Sequence, residues 1–114
     1  MKTVIFVKLE IEGLHCWPAA KDLFPEVAYL SDPHRHMFHI KCTKEVTHTD
    51  RDVEFIMFKH DIKAHFGTYY KPEIRMCDFG SMSCEMIATE LSEKFGCLSV
   101  EVSEDDENGA VVYA

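Results

Sequence analysis

A chain of 114 residues can bury one hydrophobic core but is too short for two, so residues 1–114 read as a single domain. The formal net charge of −8 argues against nucleic acid as a partner, because proteins that neutralise phosphates carry a basic stripe. No window approaches the length of a membrane span, and Lys8 and Glu10 interrupt the N-terminal apolar stretch too early for a secretory signal. A cytoplasmic protein with no membrane partner is expected. Cys16, Cys42, Cys77, Cys84 and Cys97 are odd in number and contain no C-x-x-C pair, so reduced and mostly buried thiols are expected.

Taken in order, Ile5, Val7, Leu9 and Ile11 alternate with Lys8 and Glu10, the period of a half-buried strand from Thr3 to Ile11. Gly13 ends the pattern, and Leu14 to Pro18 follow as an extended exit, with Pro18 placed to start a short helix through Phe24. The stretch from Phe24 to Pro33 has no clean period and reads as a loop. A second strand is expected from about His36 to Thr47. Val53 to Phe58 reads as a brief extended piece, followed by a helix from about Phe58 to Phe66 that Gly67 stops. Thr68 to Gly80 reads as loop. The best helix signal comes next, with Ser83 as N-cap, Glu85 in the first turn, a stripe of Ile87, Leu91 and Phe95, and Gly96 as terminator. Leu98, Val100 and Val102 alternate as a third strand, Asp105 to Gly109 form an acidic turn, and Ala110 to Tyr113 form a fourth. The expected order is ββααββ, an α+β layer with one antiparallel four-stranded sheet and two helices on one face. Such a sheet leaves two open edges, which association between copies would cover.

The chemistry concentrates where the second strand opens. His34 and His36 stand two residues apart, so in extended chain both point to one face, as adjacent metal ligands must. His15, just beyond the end of the first strand, is the candidate third ligand of a catalytic zinc site with an open position. His39 points to the other face and is a poor third ligand. The bland alternative is polar residues at a strand edge, which seven histidines in a short chain make easy by chance. Arg35, Arg51 and Arg75 are each suited to a phosphate, and the sequence does not select among them.

These residues resemble the 6-pyruvoyl-tetrahydropterin synthase and 6-carboxy-tetrahydropterin synthase family. The resemblance rests on His15 after the first strand, His34-Arg35-His36 opening the second, the Ser83-Cys84-Glu85 helix start, and the closing segments Val100 to Glu104 and Gly109 to Tyr113. It implies a tunnelling-fold subunit assembled as a homo-oligomer, a trimer or hexamer with sites at subunit boundaries. It implies Zn2+ on His15, His34 and His36, and Glu104 as the substrate-binding carboxylate that accepts paired hydrogen bonds from the edge of a pterin or purine-like heterocycle. The activity implied is that of a zinc-dependent lyase acting on dihydroneopterin triphosphate or a related reduced pterin. The chain departs from the family in two places. No cysteine lies between Phe24 and Pro33, and no Asp-His pair of the family's kind lies between Phe66 and Ser83. Cys16, beside His15, is the remaining candidate for the catalytic proton donor. The competing class is a catalytically altered protein that keeps the ring pocket and only binds or sequesters its ligand.

Overall fold

A computed structural model describes residues 1–114. Two 13-residue strands dominate it, β1 (Thr3–His15) and β2 (His34–Val46), paired antiparallel in a register that runs from Thr3 opposite Val46 to His15 opposite His34. Each strand extends further toward the histidines than the apolar alternation alone predicts. Polar side chains at Glu12, His15, His34 and His36 weaken the period while the ladder continues. Between the strands lie α1 (Ala20–Leu23) and a 3-10 segment over Pro25–Ser31, where a loop is expected from the sequence. Two prolines mask its short turns.

After β2, α2 (Phe55–Gly67) begins three residues before the expected Phe58, because the Glu54 carboxylate accepts hydrogen bonds from the free backbone N–H groups of Ile56 and Met57. Its buried stripe is Phe58, Ile62 and Phe66. The third helix, α3 (Cys84–Phe95), follows the expected signals closely. The Ser83 hydroxyl accepts from the Met86 N–H, and Gly96 closes the helix at φ 62°, a left-handed conformation that glycine adopts freely. The chain ends in the hairpin of β5 (Ser99–Glu104) and β6 (Asn108–Tyr113).

The sheet corrects the expected architecture. It is not the four-stranded, wholly antiparallel ββααββ sheet of a tunnelling-fold subunit, but a six-stranded mixed sheet in the order β3-β4-β1-β2-β5-β6. The added strands, β3 (Tyr70–Lys71) and β4 (Met76–Asp78), fall in the stretch read as loop. At two and three residues they are too short to show any hydrophobic period. Tertiary pairing makes them strands: β4 runs parallel to β1 with Cys77 opposite Gly13, and β3 pairs antiparallel with β4. Cys77 and Phe79 thereby enter the core.

One side of the sheet carries Val7, Leu9, Phe38, Ile40, Cys42, Val100 and Val102 into a single core with the buried stripes of α2 and α3. The same side, followed along the strands to one end of the sheet, reaches the histidines. The other side carries Lys8, Glu10, His39, Lys41 and Glu101 and is open. All five cysteines are free thiols, with only Cys16 more than slightly exposed.

Candidate metal centre

Three adjacent strands deliver four side chains to one point. His15 ends β1, His34 and His36 open β2, and Glu104 ends β5 opposite Phe38. Strand alternation puts all four on the core side of the sheet. Their ligand atoms lie within 4.8 Å of one another, a grouping able to hold a metal ion.

The floor beneath them is aromatic. The Phe38 ring stands edge-on to His15 and His36 at centroid distances of 5.1 and 5.7 Å, with the Phe79 ring 5.2 Å behind it. Gly13 makes this stack possible, since a Cβ there would lie 2.6 Å from the Phe79 ring. An apolar floor excludes water and strengthens every charge interaction above it.

The outward nitrogen of each ring is already committed. His15 Nδ1 lies 2.8 Å from the Met82 carbonyl, His34 Nδ1 2.9 Å from the Asp32 carbonyl, and His36 Nδ1 2.7 Å from the Asp105 carboxylate. None of these oxygens carries a proton at neutral pH, so each Nδ1 is the N–H donor and each Nε2 keeps its lone pair. The tautomers follow from the partners, and they are the ones that metal-binding histidines adopt. The Asp105 carboxyl is held below the usual carboxylate range, first by the hydrogen bond from the Met37 N–H and then by the one from His36.

Glu104 Oε2 stands 2.8 Å from His15 Nε2 and 3.1 Å from His36 Nε2, where the side chains are only 10% and 20% exposed. Neither contact has the directionality of a hydrogen bond, and both Nε2 atoms are buried without a hydrogen-bond partner. Two lone pairs facing an anionic oxygen at this range repel one another unless a positive charge lies among them. A divalent cation supplies that charge, and neutral imidazole nitrogens with a carboxylate oxygen form a donor set suited to zinc. The four residues therefore fit a metal ion.

Cys16 is half-buried beside His15, donates its backbone N–H to the Gly80 carbonyl at 2.8 Å, and lies outside the four-residue group. Burial, then the charges of Glu104 and Glu85, push the Cys84 thiol at the start of α3 up to about 12, so it stays protonated at neutral pH. His39 faces the other side of the sheet, 3.6 Å from Glu10. His65 instead joins Glu90 and Tyr69 between α2 and α3, with Nε2 2.9 Å from the Glu90 carboxylate. Asp105 is the site residue that sequence reading passes over as part of an acidic turn. Its backbone, at φ 56°, is left-handed, a conformation aspartate tolerates better than most residues. The signal available was register: if Glu104 lies opposite Phe38, the next residue lies against Met37 and His36.

The fold and site together define an α+β chain with a three-histidine, one-glutamate group able to hold a metal ion. No protein-family model matches the chain, and no curated protein sequence matches it. Among solved structures, the crystal structure of an uncharacterized protein from Wolinella succinogenes is similar over 99% of this chain and 98% of that one, with a TM-score of 0.64. At 15% identity the likeness concerns the fold alone. No helix is long and apolar enough to cross a membrane.

Proposed function

We infer that the chain is a zinc-dependent enzyme that moves protons on a small oxygenated heterocycle, with a reduced pterin such as dihydroneopterin triphosphate as the substrate and lyase chemistry as the reaction. The observation that carries the metal half of this reading is the orphaned pair of His15 and His36 Nε2 atoms facing the Glu104 carboxylate. Support for the pterin half is the sequence resemblance at His15, His34, His36 and Glu104.

In this reading His15, His34 and His36 hold the metal, which when bound supplies a Lewis acid toward a substrate hydroxyl or carbonyl oxygen. Met82, Asp32 and Asp105 fix the three rings in the ligating tautomer. Glu104, displaced from the histidines by substrate, accepts hydrogen bonds from the ring edge. The aromatic floor of Phe38 and Phe79 keeps bulk water from the reacting atoms. Copies associate through the open strand edges, as a homo-oligomer.

One observation favours the alternative of a ligand-binding protein without turnover: no thiol belongs to the four-residue group, which leaves Glu104 as its only carboxylate. Mass spectrometry of the products formed from dihydroneopterin triphosphate by zinc-loaded protein, beside His36→Ala, separates the two. A new pterin from the wild type alone supports the enzyme. Unchanged substrate that stays on the protein, and is released by Glu104→Gln, supports the binder. Unchanged, unbound substrate rejects the pterin assignment.

A further inference from the structure

A groove of about 570 Å3 is lined by residues of the open side of the sheet together with Lys59 and Lys63 of α2, and its lining is unusual for so acidic a chain. Lys8, Lys41, Lys59 and Lys63, four of the chain's nine lysines, line this one groove. None of the four has an ion-pair partner. The lysines that do are Lys2 with Glu45 and Lys71 with Asp78. Lys41 is half-buried and has its ammonium 5.2 Å from the centre of the Phe6 ring.

Two spacings make the grouping costly in isolation. Lys8 and Lys41 are directly opposite across the β1–β2 ladder, where like charges repel. Lys59 and Lys63 are four apart on α2, a second repulsive arrangement. An anion between them turns both repulsions into attractions. The cations run from α2 across β1 to Lys41 on β2, where Glu101 stands directly opposite across the β2–β5 ladder. The groove's carboxylates Glu101 and Asp106 sit on β5 and the turn after it, two strands away from β1, and neither has a cation within ion-pair range. Glu10, on β1, also lines the groove, with His39 Nδ1 3.6 Å from its carboxylate.

We propose that this groove binds a phosphorylated small molecule of nucleotide type, with its phosphate chain on Lys8, Lys41, Lys59 and Lys63 and its N–H and O–H donors on Glu101 and Asp106. The lysines supply charge-assisted hydrogen bonds to phosphate oxygens. The carboxylates accept from amine or hydroxyl groups and reject a second anionic end. The groove's lining shares no residue with the metal centre.

Isothermal titration of the full chain with inorganic tripolyphosphate and with ATP, at one ionic strength, tests the proposal. The wild type is expected to bind both. Lys59→Gln/Lys63→Gln, at positions outside the buried stripe of α2, should weaken both by about tenfold or more. Lys21→Gln, on α1 and away from the groove, should change neither. Glu101→Gln/Asp106→Asn should weaken ATP while leaving tripolyphosphate unchanged or tighter, because repulsion falls as the base and ribose contacts are lost. Absence of binding by the wild type overturns the proposal, as does wild-type affinity in Lys59→Gln/Lys63→Gln. Binding of tripolyphosphate alone, or tighter ATP binding by Glu101→Gln/Asp106→Asn, overturns the nucleotide assignment.

Discussion

At the scale of single residues, the metal centre depends on where protons sit. His36 is held by the Asp105 carboxylate rather than by a neutral carbonyl, so a charge-assisted hydrogen bond fixes its ring orientation and tautomer. Asp105→Asn replaces the carboxylate with an amide that can present either a donor or an acceptor to Nδ1. Zinc affinity is expected to fall about 10- to 100-fold, read by competition with a chromophoric chelator. The melting temperature of the metal-free protein should change little, because Asp105 is exposed. A loss of fold in Asp105→Asn would instead make its hydrogen bond to the Met37 N–H the dominant role. Gly109 makes a contrasting case. A Cβ there would lie 2.1 Å from the Val102 carbonyl oxygen, and backbone cannot yield as the tip of a side chain can. Gly109→Ala should destabilise by about 1–3 kcal/mol, measured by denaturant unfolding, and should weaken zinc binding as well, since the same hairpin carries Glu104. The clash at Gly13 is with the Phe79 ring instead, so Gly13→Ala acts by tilting the floor of the site.

At the scale of elements, α2 and α3 are tied by a partly buried polar cluster. The Tyr69 hydroxyl donates to Glu90 Oε2 at 2.5 Å, and His65 Nε2 lies 2.9 Å from the same oxygen. Burial, reinforced by Glu90, pushes the Tyr69 hydroxyl up to about 12. Burial alone would raise the Glu90 carboxyl, but the Tyr69 and His65 hydrogen bonds outweigh it and hold Glu90 below its usual range. The signs follow directly. Tyr69, raised when folded, contributes stability that is full below an unfolded value of about 10 and is lost as pH rises toward 12. Glu90, lowered when folded, contributes stability present above about 4 and lost as pH falls through its folded value. Unfolding free energy measured from pH 9 to 12 should therefore fall more steeply for the wild type than for Tyr69→Phe. Equal slopes would contradict the coupling.

Elements also show what was legible in the chain. β1, α3 and the β5–β6 hairpin could be read because each carries a full period and a terminating signal, such as Ser83 and Gly96 around α3. The start of α2 was not, since its cap is Glu54, a residue type outside the usual capping set. The short β3 and β4 were invisible because their strand character comes from Gly13 and Leu14 of β1, far away in sequence. The site divides the same way. The i, i+2 spacing of His34 and His36 is a local signal, and their convergence with His15 follows from strand geometry. The sequence points to Glu104 as a carboxylate for a heterocycle's ring edge, and β5 places it 2.8 Å from His15 Nε2, a proximity that only the cross-strand register reveals. Asp105 could be recognised only through the cross-strand register.

At the scale of the whole molecule, helices cover one side of the sheet and leave strand edges open at β6, at the two-residue β3 and along the part of β1 before Gly13. Phe6, Val111 and Tyr113, on the open side, are exposed apolar side chains near those edges. Open edges and apolar surface together favour association with a second copy. Light scattering is expected to give a mass above the 13.2 kDa of one chain; a monomer at all concentrations would contradict that expectation. Metal should act on the molecule as a whole, because its candidate ligands come from β1, β2 and β5 and one of them is braced by the Met82 carbonyl in the connection leading into α3. Ligand held at about 100 times its dissociation constant stabilises by about 2.7 kcal/mol, so zinc should raise the melting temperature by several degrees. The most direct test of the central claim is a zinc competition titration of the wild type beside His36→Ala, with retained fold checked by circular dichroism. The structure predicts stoichiometric, tight zinc binding by the wild type and its loss in the variant. Absence of zinc binding by the folded wild type, or equal affinity in both proteins, would contradict a metal centre at His15, His34, His36 and Glu104.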